Sequence, residues 1–200
     1  MKTITAVLAG VAALAVLIAF WYMGTYNSLV NRQESVNGAW AQVQNVYQRR
    51  LDLVPNLVET VKGAANFERS TLSAVVEARS RVGSLTVDKS LLNDPAQFKK
   101  FEAAQGELSG ALSRLLAVAE NYPILKATEN FRDLQVQLEG TENRIAVERR
   151  SFNEAVISYN VAIRRVPASI VAGMAGFKER PYFEAAPEAA KAPKVDFAGH

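Results

Sequence analysis

The feature that most constrains this chain is an uninterrupted apolar run close to its start. From Ile4 to Met23 no residue carries a charge, and Thr5 alone breaks a succession of Ala, Val, Leu, Ile, Gly, Phe, Trp, Tyr and Met. Coiled as an α-helix, such a run reaches about 30 Å, the hydrocarbon thickness of a bilayer. A lone segment in lipid must satisfy its own backbone groups, which an α-helix does. Trp21, Tyr22 and Tyr26 cluster at the carboxyl end of the run, where amphipathic rings favour the water boundary. A cleaved signal peptide is the competing reading, because Lys2 supplies a basic start and Ala13-Leu14-Ala15 offers small residues. Cleavage there would leave Val16 to Trp21 exposed, and the run exceeds a signal core in length. Residues 1–25 are therefore expected to be a single-pass transmembrane anchor. Lys2 and the amino terminus on one side are balanced by Arg32, itself offset by Glu34, on the other. The positive-inside rule thus assigns no facing.

Beyond the anchor, large or apolar residues recur in steps of three and four: Leu29, Val36, Trp40, Val43, Tyr47, Val54, Val58 and Val61. The same beat returns at Phe98, Phe101, Leu108, Leu112 and Leu115, and again at Phe131, Leu134, Leu138, Ile145, Phe152, Tyr159 and Ile163. This is helical periodicity, and a repeat near 3.5 residues keeps one seam facing its neighbours when helices wrap left-handed. The expected fold is all-α: an up-and-down, left-handed four-helix bundle of long helices over residues 26–180. Asp94-Pro95-Ala96-Gln97 marks one helix start, with Asp94 as N-cap and Pro95 in the first turn. Gly83 to Leu92 reads as a loop. Tyr122-Pro123 closes the third helix, and the last runs from near Thr128 to Val166, where Pro167 stops it. Pro55 admits either one kinked helix or two. Unbroken, Tyr26 to Val82 would extend about 80 Å against about 40 Å for the helix opening at Pro95, so a break near Asp52 to Pro55 is expected. Ile170 to Phe177 is expected to cap the bundle, the alternative being a dip into the membrane surface. Residues 181–200, rich in Pro, Ala, Glu and Lys, read as a disordered tail.

Chemistry is constrained mainly by what is missing. The chain has no cysteine and one histidine, His200, its last residue. Thiolate ligands, a cysteine nucleophile and a histidine-based triad or metal centre are thereby excluded. Glu139, Glu142 and Glu148 lack the Glu-x-x-His partners of di-iron bundles and read as a solvated, salt-bridged face. A formal net charge of +3 calls for no nucleic-acid partner. No cofactor and no small-molecule substrate is expected, and the chain is not expected to be an enzyme. Two groups of residues are candidates for interaction or register. In Arg49-Arg50-Leu51-Asp52-Leu53-Val54-Pro55-Asn56, the arginines are expected to pair with carboxylates of adjacent helices, and Asp52 to cap the helix opened by Pro55. Phe152-Asn153 and Tyr159-Asn160 repeat seven residues apart, so Asn153 and Asn160 are expected to fix helix register more than they stabilise it.

The order of these motifs resembles one bacterial family. Tyr26-Asn27-Ser28-Leu29-Val30 after an apolar anchor, Ala39-Trp40, and Arg49-Arg50 with Asp52 to Val58 resemble the LemA family of membrane proteins. Arg114 to Pro123, Asn130-Phe131, Leu134-Gln135, Thr141 to Ile145, Tyr159-Asn160 and Gly176-Phe177 agree in the same order, from about Met1 to Glu184. The resemblance implies an up-and-down helical bundle on the bacterial inner membrane and supplies no catalytic residue, cofactor or substrate.

The functional expectation is a membrane-anchored helical scaffold or adaptor. It holds lipid through the N-terminal helix and binds another membrane protein or its own copies, as a homo-oligomer. A membrane-tethered sensor or ligand-binding bundle is the alternative.

Overall fold

A computed structural model of the chain describes residues 2–63, 67–85 and 87–184. Its first element, α1 (Lys2–Lys62), is a single helix that carries the apolar run, its aromatic girdle and the first heptad stretch without interruption. The part preceding Tyr22 is exposed throughout, whereas Leu29, Val36, Trp40, Val43, Tyr47, Val54, Leu57, Val58 and Val61 are buried. A helix with lipid-type composition all round thus becomes an amphipathic bundle helix over its second half.

The expected break near Asp52 to Pro55 does not occur. Pro55 has no N–H to give the carbonyl of Leu51 four residues earlier, which ordinarily kinks or breaks a helix. Here Arg79 Nε, from a neighbouring helix, donates to that carbonyl at 3.3 Å. Val54, Leu57, Val58 and Val61 stay on the buried seam across the proline, so packing favours continuation. Asp52 consequently caps nothing: it lies mid-helix and accepts from Gln48 Nε2 at 2.8 Å.

The chain then turns back through α2 (Arg69–Gly83), a 3-10 turn over Lys89–Asn93, and runs outward again in α3 (Pro95–Ala119). Asp94 caps α3 by accepting from the backbone N–H groups of Ala96 and Gln97, both at 3.0 Å, with Pro95 in the first turn. After the short α4 (Pro123–Ala127), α5 (Glu129–Arg164) returns the full length to the anchor. Contacts of Trp40 with Phe98 and of Arg50 with Gln105 show α1 and α3 parallel, and Arg32 to Ser158 together with Arg50 to Glu142 shows α1 and α5 antiparallel.

The length argument resolves differently from expectation. From Tyr26 onward α1 extends about 55 Å, and α5, with 36 residues, is its match. The shorter α2 and α3 pack side by side along the part of that length far from the apolar run, Arg81 of α2 meeting Glu107 of α3 at 2.7 Å and Glu68, just ahead of α2, facing Arg114 at 3.9 Å. At the anchor end the remaining apolar surface is covered by Leu91 and Leu92, by α6 (Ala168–Ala175), and by an extended segment that puts Phe183 in the core. Among the described residues there is no strand.

Candidate functional site

Two buried clusters fill the bundle, one towards the anchor around Trp40, Phe98, Phe101, Phe152 and Tyr159, the other away from it around Val54, Val75, Leu112 and Phe131. Arg50 lies between them and is 1% exposed. Its Nη1 donates to Glu142 Oε1 at 2.8 Å and to Ser109 Oγ at 2.6 Å. Its Nη2 donates to the Gln105 carbonyl at 3.3 Å and to Gln105 Oε1. The guanidinium also stands 5.1 Å from the ring centre of Tyr47. A planar fork thus ties α1 to two other helices, α3 and α5, and a register slip of either would strand a buried charge. The expectation that the arginines meet carboxylates on adjacent helices holds for Arg50. Glu142, read as part of a solvated face, is instead half-buried against it. Arg49 faces outward beside Val136, Gly140 and Arg144 of α5. Asn56 is exposed, and its carbonyl accepts from Thr60 Oγ1 at 2.8 Å.

Asn153 and Asn160 have partners other than a facing helix. Asn160 Nδ2 donates to the Arg180 carbonyl, and Arg180 N–H donates to Asn160 Oδ1, both at 2.9 Å. Asn153 makes the same pair with Phe183, again 2.9 Å each way. Seven helical residues rise about 10 Å, which matches three residues of extended chain, so a heptad pair of amides holds backbone at positions three apart. Between them Tyr159 Oη donates to the Lys178 carbonyl at 3.0 Å, and burial pushes that phenol's pKa above its ordinary value.

The clamped segment drives Phe183 among Trp40, Phe98 and Phe152, with ring centres 4.9 to 6.2 Å apart. Arg149 covers it, its guanidinium carbon 4.4 Å from the ring centre of Phe183. Arg149 also pairs with Glu102 at 2.7 Å, and Glu102 accepts from the Glu184 N–H at 3.1 Å. Burial nonetheless lifts the Glu102 carboxyl above its usual range, against the lowering effect of Arg149. Of the tail expected over residues 181–200, Pro181 to Glu184 are described. Residues 185–200 lie outside the described residues, while Phe183 is 6% exposed. A sequence signal for it existed in two aromatics, Tyr182 and Phe183, directly after Pro181.

At the end of the apolar run Tyr22 stacks on Tyr26, with centroids 6.4 Å apart, and Tyr26 meets Phe177 edge-on at 5.7 Å. Trp21 is exposed. α6 packs there through Val171 and Ala172. At the opposite end of the molecule a cleft of about 620 Å³ is lined by Thr60, Asn121, Tyr122, Ile124 and Leu125. Among the described residues no three acidic or histidine side chains gather as a metal site would require.

The LemA family model matches residues 39–197. Magnetosome protein MamQ 2 of Paramagnetospirillum magneticum is 29% identical over 200 residues, covering 92% of this chain and 72% of that protein. Magnetosome protein MamQ of Magnetospirillum gryphiswaldense is 30% identical over 178 residues, covering 81% of this chain and 65% of that protein. Protein LemA of Metamycoplasma hominis is 27% identical over 145 residues, covering 72% and 62% respectively. With an apolar helix long enough to span a bilayer, an all-helical body and a family match over most of its length, this chain belongs to the LemA family.

Proposed function

We propose that this protein is a membrane-anchored helical scaffold whose outer surface binds its own copies or another membrane protein. The observation that carries this reading is the continuity of α1, one helix from the apolar run to Lys62. With no joint between anchor and bundle, each bundle is held in a fixed orientation relative to its own span. Weak side-to-side contacts between such copies gain from high effective concentration. The outer face of α5 supplies a surface for them: Val136, Val147 and Val161 are exposed, interspersed with Gly140, Asn143, Arg150 and Glu154. A mixed face of this kind is typical of non-obligate interfaces. In the apolar run Ala6, Gly10 and Ala13 offer small residues for close approach of spans.

The test uses the absence of native cysteine. Val136→Cys and Val147→Cys, each in the full chain in intact membranes, are expected to give crosslinked species that Val76→Cys in α2 does not. A crosslink to a foreign protein identifies an adaptor, and a crosslink to a second copy identifies self-assembly. Monomer alone at every position would overturn the scaffold reading. The distal cleft beside Ile124 supports the second reading, a ligand-binding bundle. Its test is protection of Tyr122 fluorescence or of cleft amides by an apolar ligand in the anchored protein.

A further inference from the structure

We propose that α6 is a second membrane contact, its outer face seated in the interfacial layer of an anionic bilayer beside the exit of the anchor. The inference rests on reading Ile4–Met23 as a membrane span.

The two faces of α6 differ in partners. Val171 and Ala172 are buried against the anchor-end core, whereas Ile170 is 59% exposed, Met174 75%, and Val166 just ahead of the helix 80%. Residues four apart share a helical stripe, so Ile170 and Met174 form one apolar edge on the side away from the bundle. Single exposed apolar side chains are ordinary on any protein, but three on one short segment mark a contact.

Position selects what makes that contact. Phe177, immediately after α6, lies against Tyr26, and Tyr26 against Tyr22. Met23 to Tyr26 is a rise of about 4.5 Å, so this aromatic junction is at the level where the apolar run meets water. The buried core that α6 covers begins at Leu29 and continues away from the anchor. The proposal seats the opposite side of α6 at the bilayer surface, at the level of the girdle of Trp21, Tyr22 and Tyr26, to which Phe177 ties it. Charge agrees with this placement. Arg164 and Arg165 precede α6 and Lys178 follows it, all three exposed, against Glu179, which is held by Arg164 at 3.7 Å. Basic residues flanking an apolar face favour anionic headgroups.

The test is depth-dependent quenching in the full-length protein. Ile170→Cys, Met174→Cys, Ile18→Cys in the apolar run and Val76→Cys in α2 are each labelled with an environment-sensitive fluorophore. Each is reconstituted into phosphatidylethanolamine–phosphatidylglycerol vesicles carrying lipids brominated at shallow or deep acyl positions. Labels at Ile170 and Met174 are expected to be blue-shifted and to lose emission to shallow bromines, to a degree comparable with the loss at Ile18 to deep ones. The label at Val76 should be unaffected. Quenching at Ile18 with none at Ile170 and Met174 overturns the proposal and leaves the anchor standing. A blue shift at those two positions without lipid quenching also overturns it, since a protein then covers the face. Absence of quenching at Ile18 removes the span itself and the proposal with it.

Discussion

Single residues do unequal work in this protein, and Arg50 is the clearest case. Replacing it with alanine leaves Gln105 and Ser109 without their charged donor and Glu142 without its cation. Removing one member of a buried pair ordinarily costs 3 to 5 kcal/mol, and because the Glu142 side chain retains 37% exposure and can be hydrated in part, a loss of about 3 kcal/mol is expected by chemical denaturation. A cost under about 1 kcal/mol would place Arg50 among surface pairs. Asn153→Ala with Asn160→Ala removes four hydrogen bonds to Arg180 and Phe183. At about 1 kcal/mol each and less than additive, the pair should loosen residues 178–184 before it melts the bundle. Hydrogen exchange should then quicken at the amides of Arg180 and Phe183 while those of Trp40 and Val43 stay protected. Glu102 gives a pH dependence whose sign follows from its environment. A carboxyl held above its usual range in the folded state opposes folding when ionised, so the penalty is present at neutral pH. It disappears as pH falls through the raised value to the ordinary one. Relative to Glu102→Gln, the unaltered protein should therefore gain in melting temperature between pH 7 and pH 4. A relative loss would mean that the Arg149 pair outweighs burial.

Among the elements, α1 offers the sharpest test because its continuity past Pro55 has a named cause. If Arg79 replaces the donor that Pro55 lacks, the two positions are energetically coupled. Arg79→Ala should cost about 0.5 to 1.5 kcal/mol with Pro55 present and close to nothing in a Pro55→Ala background, where the backbone bond to Leu51 is restored. Equal costs in both backgrounds would show that packing alone carries the helix through. The same element explains why sequence reading succeeded in one place and failed in another. Heptad spacing located Leu29 to Val61 on one seam, and Asp94-Pro95 located the start of α3, because both signals are local. Whether Pro55 breaks a helix depends on packing along the seam and on contacts such as that of Arg79, 24 residues later, which no local pattern reports. Asn153 and Asn160 were legible as a heptad pair, but their partners lie in a segment whose composition resembles a solvated tail. Glu142 and Glu148 looked as exposed as Glu139, but both are partly buried, Glu142 against Arg50 and Glu148 beside Arg144, because glutamate spacing says nothing of what packs over it.

For the whole molecule, the segment after α6 extends the packed body to Phe183. A fragment spanning residues 26–184 should be soluble and strongly helical by circular dichroism once the apolar run is removed. Shortening it to residue 177 withdraws Phe183 from Trp40, Phe98 and Phe152, an apolar burial worth about 1.5 to 3 kcal/mol together with the clamp bonds. The shorter fragment should melt at a lower temperature with its helical spectrum largely kept; equal melting would mean that the core closes without Phe183. The unbroken α1 has a mechanical consequence at this scale as well. Transmembrane helices lean by about 20° on average and lean further in thinner bilayers. With a lever of about 55 Å beyond Tyr26 and no hinge to absorb the angle, such a lean carries the far end of the molecule sideways by roughly 19 Å. If the apolar run spans a bilayer, the thickness of that bilayer thereby sets how far the distal end of the molecule stands from the membrane normal.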